Sequence, residues 1–177
     1  MKSGQSIICL LIFMILISIY LGAIMPNKEV ATISVESHAF GQGAAIPLNY
    51  TCIGEDVSPP LIISELPIGT KSLAIIFDDP DAPMGTFVHW IAWNIDPSDS
   101  ILDEGAHVAM KQGMNDFGRQ GYRGPCPPAG KIHHYFFKIY ALDTMLDLPD
   151  GSTKKELEAS MSGHILGQGE LMGVFQR

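Results

Sequence analysis

The chain has 177 residues, 46% of them hydrophobic and 17% charged, which suits a single domain and excludes a wholly disordered polypeptide. Eleven Lys and Arg against nineteen Asp and Glu give a formal charge of −8, and no basic block gathers the cations, which argues against a nucleic-acid partner. Eighteen Gly and twelve Pro disfavour a helical bundle, and three Cys exclude a disulfide-dense miniprotein.

Residues 7–25 (IICLLIFMILISIYLGAIM) are almost uniformly apolar, preceded by Lys2 and closed by Pro26-Asn27-Lys28. As a helix this run would measure about 28 Å, close to the hydrocarbon thickness of a bilayer. Leu21-Gly22-Ala23 is a mediocre cleavage site, so the segment reads as a membrane anchor, as a signal peptide that is removed or, least favoured, as a buried core helix. All three set residues 1–28 apart from a domain at 29–177, and the first two place that domain outside the cytoplasm.

The domain opens on residues 33–37 (ISVES), which alternate as a half-buried strand does. Residues 47–51 (PLNYT) lead into a loop ending at Ser58-Pro59-Pro60, and residues 61–63 are followed by a turn at Pro67-Ile68-Gly69-Thr70. Residues 72–77 (SLAIIF) form a nearly continuous apolar run, expected of a central strand covered on both faces. Residues 87–95 (FVHWIAWNI) and 134–142 (HYFFKIYAL) are aromatic and β-branched, and both read as strands. Residues 101–132 show no clear periodicity, a long stretch of the kind that often carries function. Thr153 and Glu156 have capping-box spacing ahead of Leu157 and Met161, predicting a helix, with a second short helix around residues 164–166 and a final strand over 170–176. The fold class is mainly β.

Several residues could carry chemistry. Asp78, Asp79 and Asp81 crowd the end of the central strand, where they repel one another unless donors or cations stand among them. In strict period two, His89 shares a face with Phe87, Ile91 and Trp93, while Val88, Trp90 and Ala92 face the other way. By the same rule His133 and Tyr135 share a face with Phe137, and His134 points away. The stiff segment 121–130 (GYRGPCPPAG) lies just upstream, and its backbone N–H groups beside imidazoles and a phenol would suit a small anion. His89, His133 and Asp79 have no dedicated metal spacing, so neither metal nor cofactor is expected. No G-x-S-x-G elbow or H-E-x-x-H helix is present, and Ser152-Thr153-Lys154-Lys155, although it matches S-x-x-K, falls where capping residues belong. Cys52 and Cys126 both lie in loops of an exported domain and are expected to form a disulfide. Asn49-Tyr50-Thr51 is a glycosylation sequon, a weak signal on its own.

At these residues the chain resembles the phosphatidylethanolamine-binding protein family, in its prokaryotic branch of Raf-kinase-inhibitor-like proteins. The resemblance rests on Tyr50-Thr51-Cys52, Ser58-Pro59-Pro60-Leu61, Asp79-Pro80-Asp81-Ala82-Pro83, Phe87-Val88-His89-Trp90, Asn115-Asp116-Phe117-Gly118, Gly124-Pro125-Cys126-Pro127-Pro128 and His133-His134-Tyr135, and covers about residues 33–177. It implies a β-sandwich of a large and a small sheet with short C-terminal helices. It also implies an anion pocket built from Asp79, His89, the backbone of Gly124 and Pro125, His133 and Tyr135. His134 stands where many relatives carry Arg.

The function this implies is non-enzymatic binding of a phosphate-like anion or phospholipid head group, with Asp79 either orienting an imidazole or accepting from an ammonium. The alternatives are inhibition of a secreted protease or another protein-interaction role and, less favoured, an Asp/His-assisted hydrolase. Membrane contact would come through the N-terminal segment. Relatives in this branch often pair as homodimers, which makes a homodimer an expectation here too.

Overall fold

The computed structural model describes residues 29–106 and 109–177. The apolar segment at 7–25 lies outside the described residues; among those described, no helix is long and apolar enough to cross a membrane.

The 72–77 run does become the central strand. Strand β4 (Ser72–Asp79) is buried at every position and pairs antiparallel with β5 (Phe87–Ile95) on one side and β8 (His133–Leu142) on the other. Beyond β8 lies β9 (Ile165–Phe175), then the short β1 (Ala31–Thr32), paired parallel to it; beyond β5 lies β7 (Lys111–Gln112). These six make the large sheet. A three-stranded sheet of β2 (Ser34–Glu36), β3 (Leu61–Ser64) and β6 (Ile101–Leu102) covers one face of it. The core between the sheets joins Val35, Leu61, Ile63 and Leu102 of the small sheet to Phe77, Phe137 and Ile139 of the large one. The Phe77 ring stacks on Phe137 at 3.9 Å and on Tyr122 at 5.4 Å. Each such fully buried side chain contributes about 1.5–3 kcal/mol through loss of apolar surface.

The opposite face of the large sheet carries Ala74, Ile76, Val88, Ile91 and Trp93, covered by Leu157 and Met161 of α1 (Lys154–Met161). The capping box is formed as its spacing predicts, with Thr153 Oγ1 accepting from Glu156 N–H and the Glu156 carboxylate accepting from Thr153 N–H. The helix start is also tied to the sheet, because Lys154 and Lys138 both donate to the buried carboxylate of Asp78.

The C-terminal region needs a correction. Among the described residues α1 is the one α-helix; residues 165 and 166 open β9 instead of a second helix, and the last strand starts at Ile165 where the hydropathy pattern placed it at 170. Gly167, Gly169 and Gly173 interrupt the pattern because Ile33, Pro67, Phe40 and Ile46 press against the strand where their side chains would stand. The aperiodic stretch contributes β6 and β7, and its Phe117, Cys126, Pro127 and Pro128 reach the end of the sheet where β4 finishes and β8 begins.

Candidate functional site: a cavity between two imidazoles

The crowding of acids at the end of β4 is resolved by giving each carboxylate its own partners. Asp78 points to the helix side and takes Lys138 and Lys154. Asp79, 3% exposed, points to the inter-sheet side, where Oδ2 accepts from His133 Nδ1–H at 2.8 Å and Oδ1 from the Asp81 amide at 2.8 Å. Asp81 stays at the surface and accepts from the ring and backbone of the outward-facing His134, which hold its carboxyl below the usual carboxylate range. His133, Tyr135 and Phe137 share the buried face of β8 and His134 is exposed, as alternation predicts.

Alternation fails on β5. Phe77 pairs with Trp90 and Asp78 with Val88, so His89 is an extra residue, a bulge. His89 and Trp90 therefore both face the inter-sheet core, while Ile91 and Trp93, assigned to the face of His89 by strict period two, lie under the helix. The bulge aims His89 at the end of the sheet next to β8. There its Nδ1–H donates to the Arg123 carbonyl at 2.8 Å, and its ring meets Phe77, Phe87, Phe117 and Tyr135 at centroid distances between 5.3 and 5.4 Å. Burial among these rings pushes the imidazole pKa below its ordinary value of 6.5, against the opposing pull of the Arg123 carbonyl and the Asp79 charge.

His89 and His133, on strands separated by β4, line one cavity of about 240 Å³ together with Asp79, Phe87, Phe117 and Pro127. With both Nδ1 atoms engaged, Nε2 is the atom each ring can offer a ligand. A carbonyl cannot donate, so the proton between His89 and Arg123 sits on the ring. Tyr135 lies between the imidazoles, 5.4 Å from one ring and 6.4 Å from the other, with its buried hydroxyl close to Asp79. Burial and the Asp79 charge push its pKa far up, so it remains a neutral phenol. The cavity shares Pro83, Pro128 and His133 with an adjoining one of about 270 Å³ that Asp81 and Lys131 border.

Gly124 and Pro125 sit behind the wall and do not offer donors to the cavity. The Gly124 amide already donates to Asp56 at 2.7 Å, and the Pro125 carbonyl accepts from the Cys52 amide. Glycine is needed at 124 for packing, since a Cβ there would lie 2.2 Å from the Tyr50 carbonyl oxygen. The expected disulfide is formed: Cys52 and Cys126 are bonded with their Cα atoms 5.4 Å apart, and Cys126 continues into Pro127 and Pro128 of the cavity wall. Asp79 makes the orienting contact to His133, one of the two roles expected of it, and each of its carboxylate oxygens keeps a further lone pair.

Three contributors are absent from the site residues expected from the sequence, although Asp116 and Phe117 belong to a stretch that carries the resemblance. The Arg123 carbonyl orients His89, a backbone role that no side-chain pattern announces. Phe117 closes the cavity at its side, on a turn held by the buried Asn115, whose Oδ1 accepts from the amides of Phe117 and Arg119. Asp116 pins that turn to β5 by accepting from Val88 N–H, one residue from the bulge.

The family model described as "Phosphatidylethanolamine-binding protein" matches residues 36–176. The chain belongs to the phosphatidylethanolamine-binding protein family. A UPF0098 protein of Pyrococcus horikoshii is 50% identical over 172 residues, covering 92% of this chain and 85% of its own. A solved phosphatidylethanolamine-binding protein homologue of Chlamydia trachomatis superposes with a TM-score of 0.79 at 42% identity, covering 82% of this chain and 98% of that one. Escherichia coli YbcL, a member of the same family, gives 0.77 at 31% identity, covering 83% and 99%. The two-sheet architecture and the site described above thus sit within a phosphatidylethanolamine-binding protein domain.

Proposed function

We propose that this chain is a non-enzymatic binding protein for small oxyanions, the phosphate group foremost, free or as part of a head group. The observation that carries the reading is that His89 and His133 reach one cavity from different strands with both Nδ1 atoms already engaged. A phosphate oxygen can then accept from Nε2–H of a His133 ring that carries both protons, with Asp79 beside it as countercharge. The apolar segment at 7–25 supports a domain held or released outside the cytoplasm, and the disulfide fits that compartment. Calorimetric titration of the chain with inorganic phosphate tests the reading: saturable binding that is lost in His133→Ala supports it, and absence of binding refutes it.

One arrangement favours a second reading. An Asp–His pair with a free Nε2 is also the geometry of a general base acting on water. No Ser or Thr lines the cavity, so such a hydrolase would have to use water directly. Turnover of phosphomonoester and carboxylic ester panels, abolished in His133→Ala, would establish it in place of simple binding.

A further inference from the structure

A side-chain carboxylate orients His133, whereas His89 is held by the main chain of residue 123. The Arg123 carbonyl accepts from His89 Nδ1–H at 2.8 Å, and the Arg123 amide donates to the His89 carbonyl at 3.2 Å. The ring is therefore only as well fixed as the 123–124 peptide, which lies outside the strands. That peptide has a carboxylate on its other side. Its N–H, on Gly124, donates to Asp56 Oδ1 at 2.7 Å, while Asp56 Oδ2 pairs with the Arg123 guanidinium. The N–H and C=O of a planar trans peptide point in opposite directions, so carboxylate, peptide and imidazole form one chain of two hydrogen bonds. Negative charge at the N–H end polarises the amide and makes its carbonyl oxygen a stronger acceptor.

Asp56 is itself firmly placed. Its φ of 61° lies in the left-handed region that most side chains avoid, its amide donates to the Asn49 carbonyl at 2.9 Å, and its side chain is 14% exposed. Cys52, in the same loop, is bonded to Cys126 just beyond the peptide. We infer that Asp56 is the positioning carboxylate of His89, acting through the 123–124 peptide as Asp79 acts on His133 by direct contact. The same carboxylate holds the Arg123 guanidinium 5.6 Å from the centre of the Phe117 ring, which closes the cavity at its side. Its consequence for ligand binding rests on the reading of this cavity as an oxyanion site; its hold on the His89 ring does not.

The test is ¹⁵N NMR of the imidazoles in the ligand-free full chain, in mild detergent at pH 8, which reports the nitrogen that carries the proton. Asp56→Gly removes the carboxylate without straining the positive φ, and Asp56→Asn keeps a neutral acceptor for the Gly124 amide. Tyr122→Phe removes a different bond between the same two loops, from the Tyr122 hydroxyl to the Tyr50 carbonyl. His89 should hold its proton on Nδ1 in the parent and in Tyr122→Phe, and should shift toward Nε2–H in Asp56→Gly. Asp56→Asn should fall between, with His133 unchanged throughout. If Asp56→Gly does not fold, Asp56→Asn decides: a His89 shift in that direction supports the proposal and unchanged signals overturn it. His89 signals that ignore both changes at 56, or that move as far in Tyr122→Phe, also overturn it, as does a His133 ring that moves with them. Calorimetry at pH 7 should then show Asp56→Gly binding inorganic phosphate about threefold or more weakly than the parent. Equal affinity overturns the part of Asp56 in binding. A parent that binds no phosphate overturns the oxyanion reading and leaves the hold on His89 to be judged by the NMR result.

Discussion

Asp79 and His133 lie 2.8 Å apart, both almost without solvent access, and the second oxygen of the carboxylate is capped by the Asp81 amide. The carboxylate thus fixes the tautomer and direction of the ring and supplies the negative charge a proton on that ring needs. Asp79→Asn keeps the shape and removes the charge. Phosphate affinity at pH 7 should fall by about tenfold, or about 1.4 kcal/mol, with the fold retained. Calorimetry together with circular dichroism checks both parts.

The depressed His89 pKa makes stability depend on pH with a definite sign. Above about 6.5 the ring is neutral in both folded and unfolded chains; below that value the unfolded chain takes a proton that the folded chain resists. The stabilisation linked to His89 is therefore fully present above pH 6.5 and is lost as pH falls through the depressed folded value. Urea midpoints should decline from pH 7.5 to 5.5, and the decline should shrink in His89→Gln. The carboxylates held below their usual range, Asp81 and Glu156 among them, act only near pH 4 and lower, outside this window.

Much of this arrangement can be read from residue order, and the rest fails for identifiable reasons. The run 72–77 announces a central strand because no large polar residue interrupts it, and His133 with Tyr135 announces a shared face because β8 keeps strict register with β9 through that region. His89 is different. An extra residue in β5 reverses the faces of Trp90 to Trp93 until a second register shift returns Ile95 to the inter-sheet core, and a bulge depends on pairing with a distant strand that local hydropathy does not encode. The first half of β9 is hidden for a related reason, since its glycines answer to Ile33, between β1 and β2, and to Pro67 of a loop. Gly124 looked like a ligand loop and is a packing contact with Tyr50 and Thr51.

That contact yields a further expectation. Gly124→Ala would place a methyl group against the backbone of Tyr50 and Thr51, with no flexible side chain available to yield. Destabilisation of about 2 kcal/mol or more should follow, measured as a lower urea midpoint. Gly130→Ala serves as a comparison: nothing lies near its Cβ direction, and its cost comes from positive φ alone.

The Cys52–Cys126 bond closes a separation of 74 residues and holds the Pro127–Pro128 wall to the loop that carries Asp56. Replacing both cysteines by Ser should cost about 2–4 kcal/mol, mainly through the freer unfolded chain. The same double variant, compared with the parent under non-reducing conditions, should also bind phosphate more weakly, because the cavity wall loses its covalent tie. Denaturation and calorimetry on the two proteins check these effects separately.

The most direct measurement is ¹⁵N-resolved NMR of the imidazole nitrogens during a phosphate titration. If one cavity joins the two rings, the Nε2 resonances of His89 and His133 shift together along a single saturation curve, while the exposed ring of His134 does not follow that curve. Movement of only one of the two, or separate curves for them, would contradict the account.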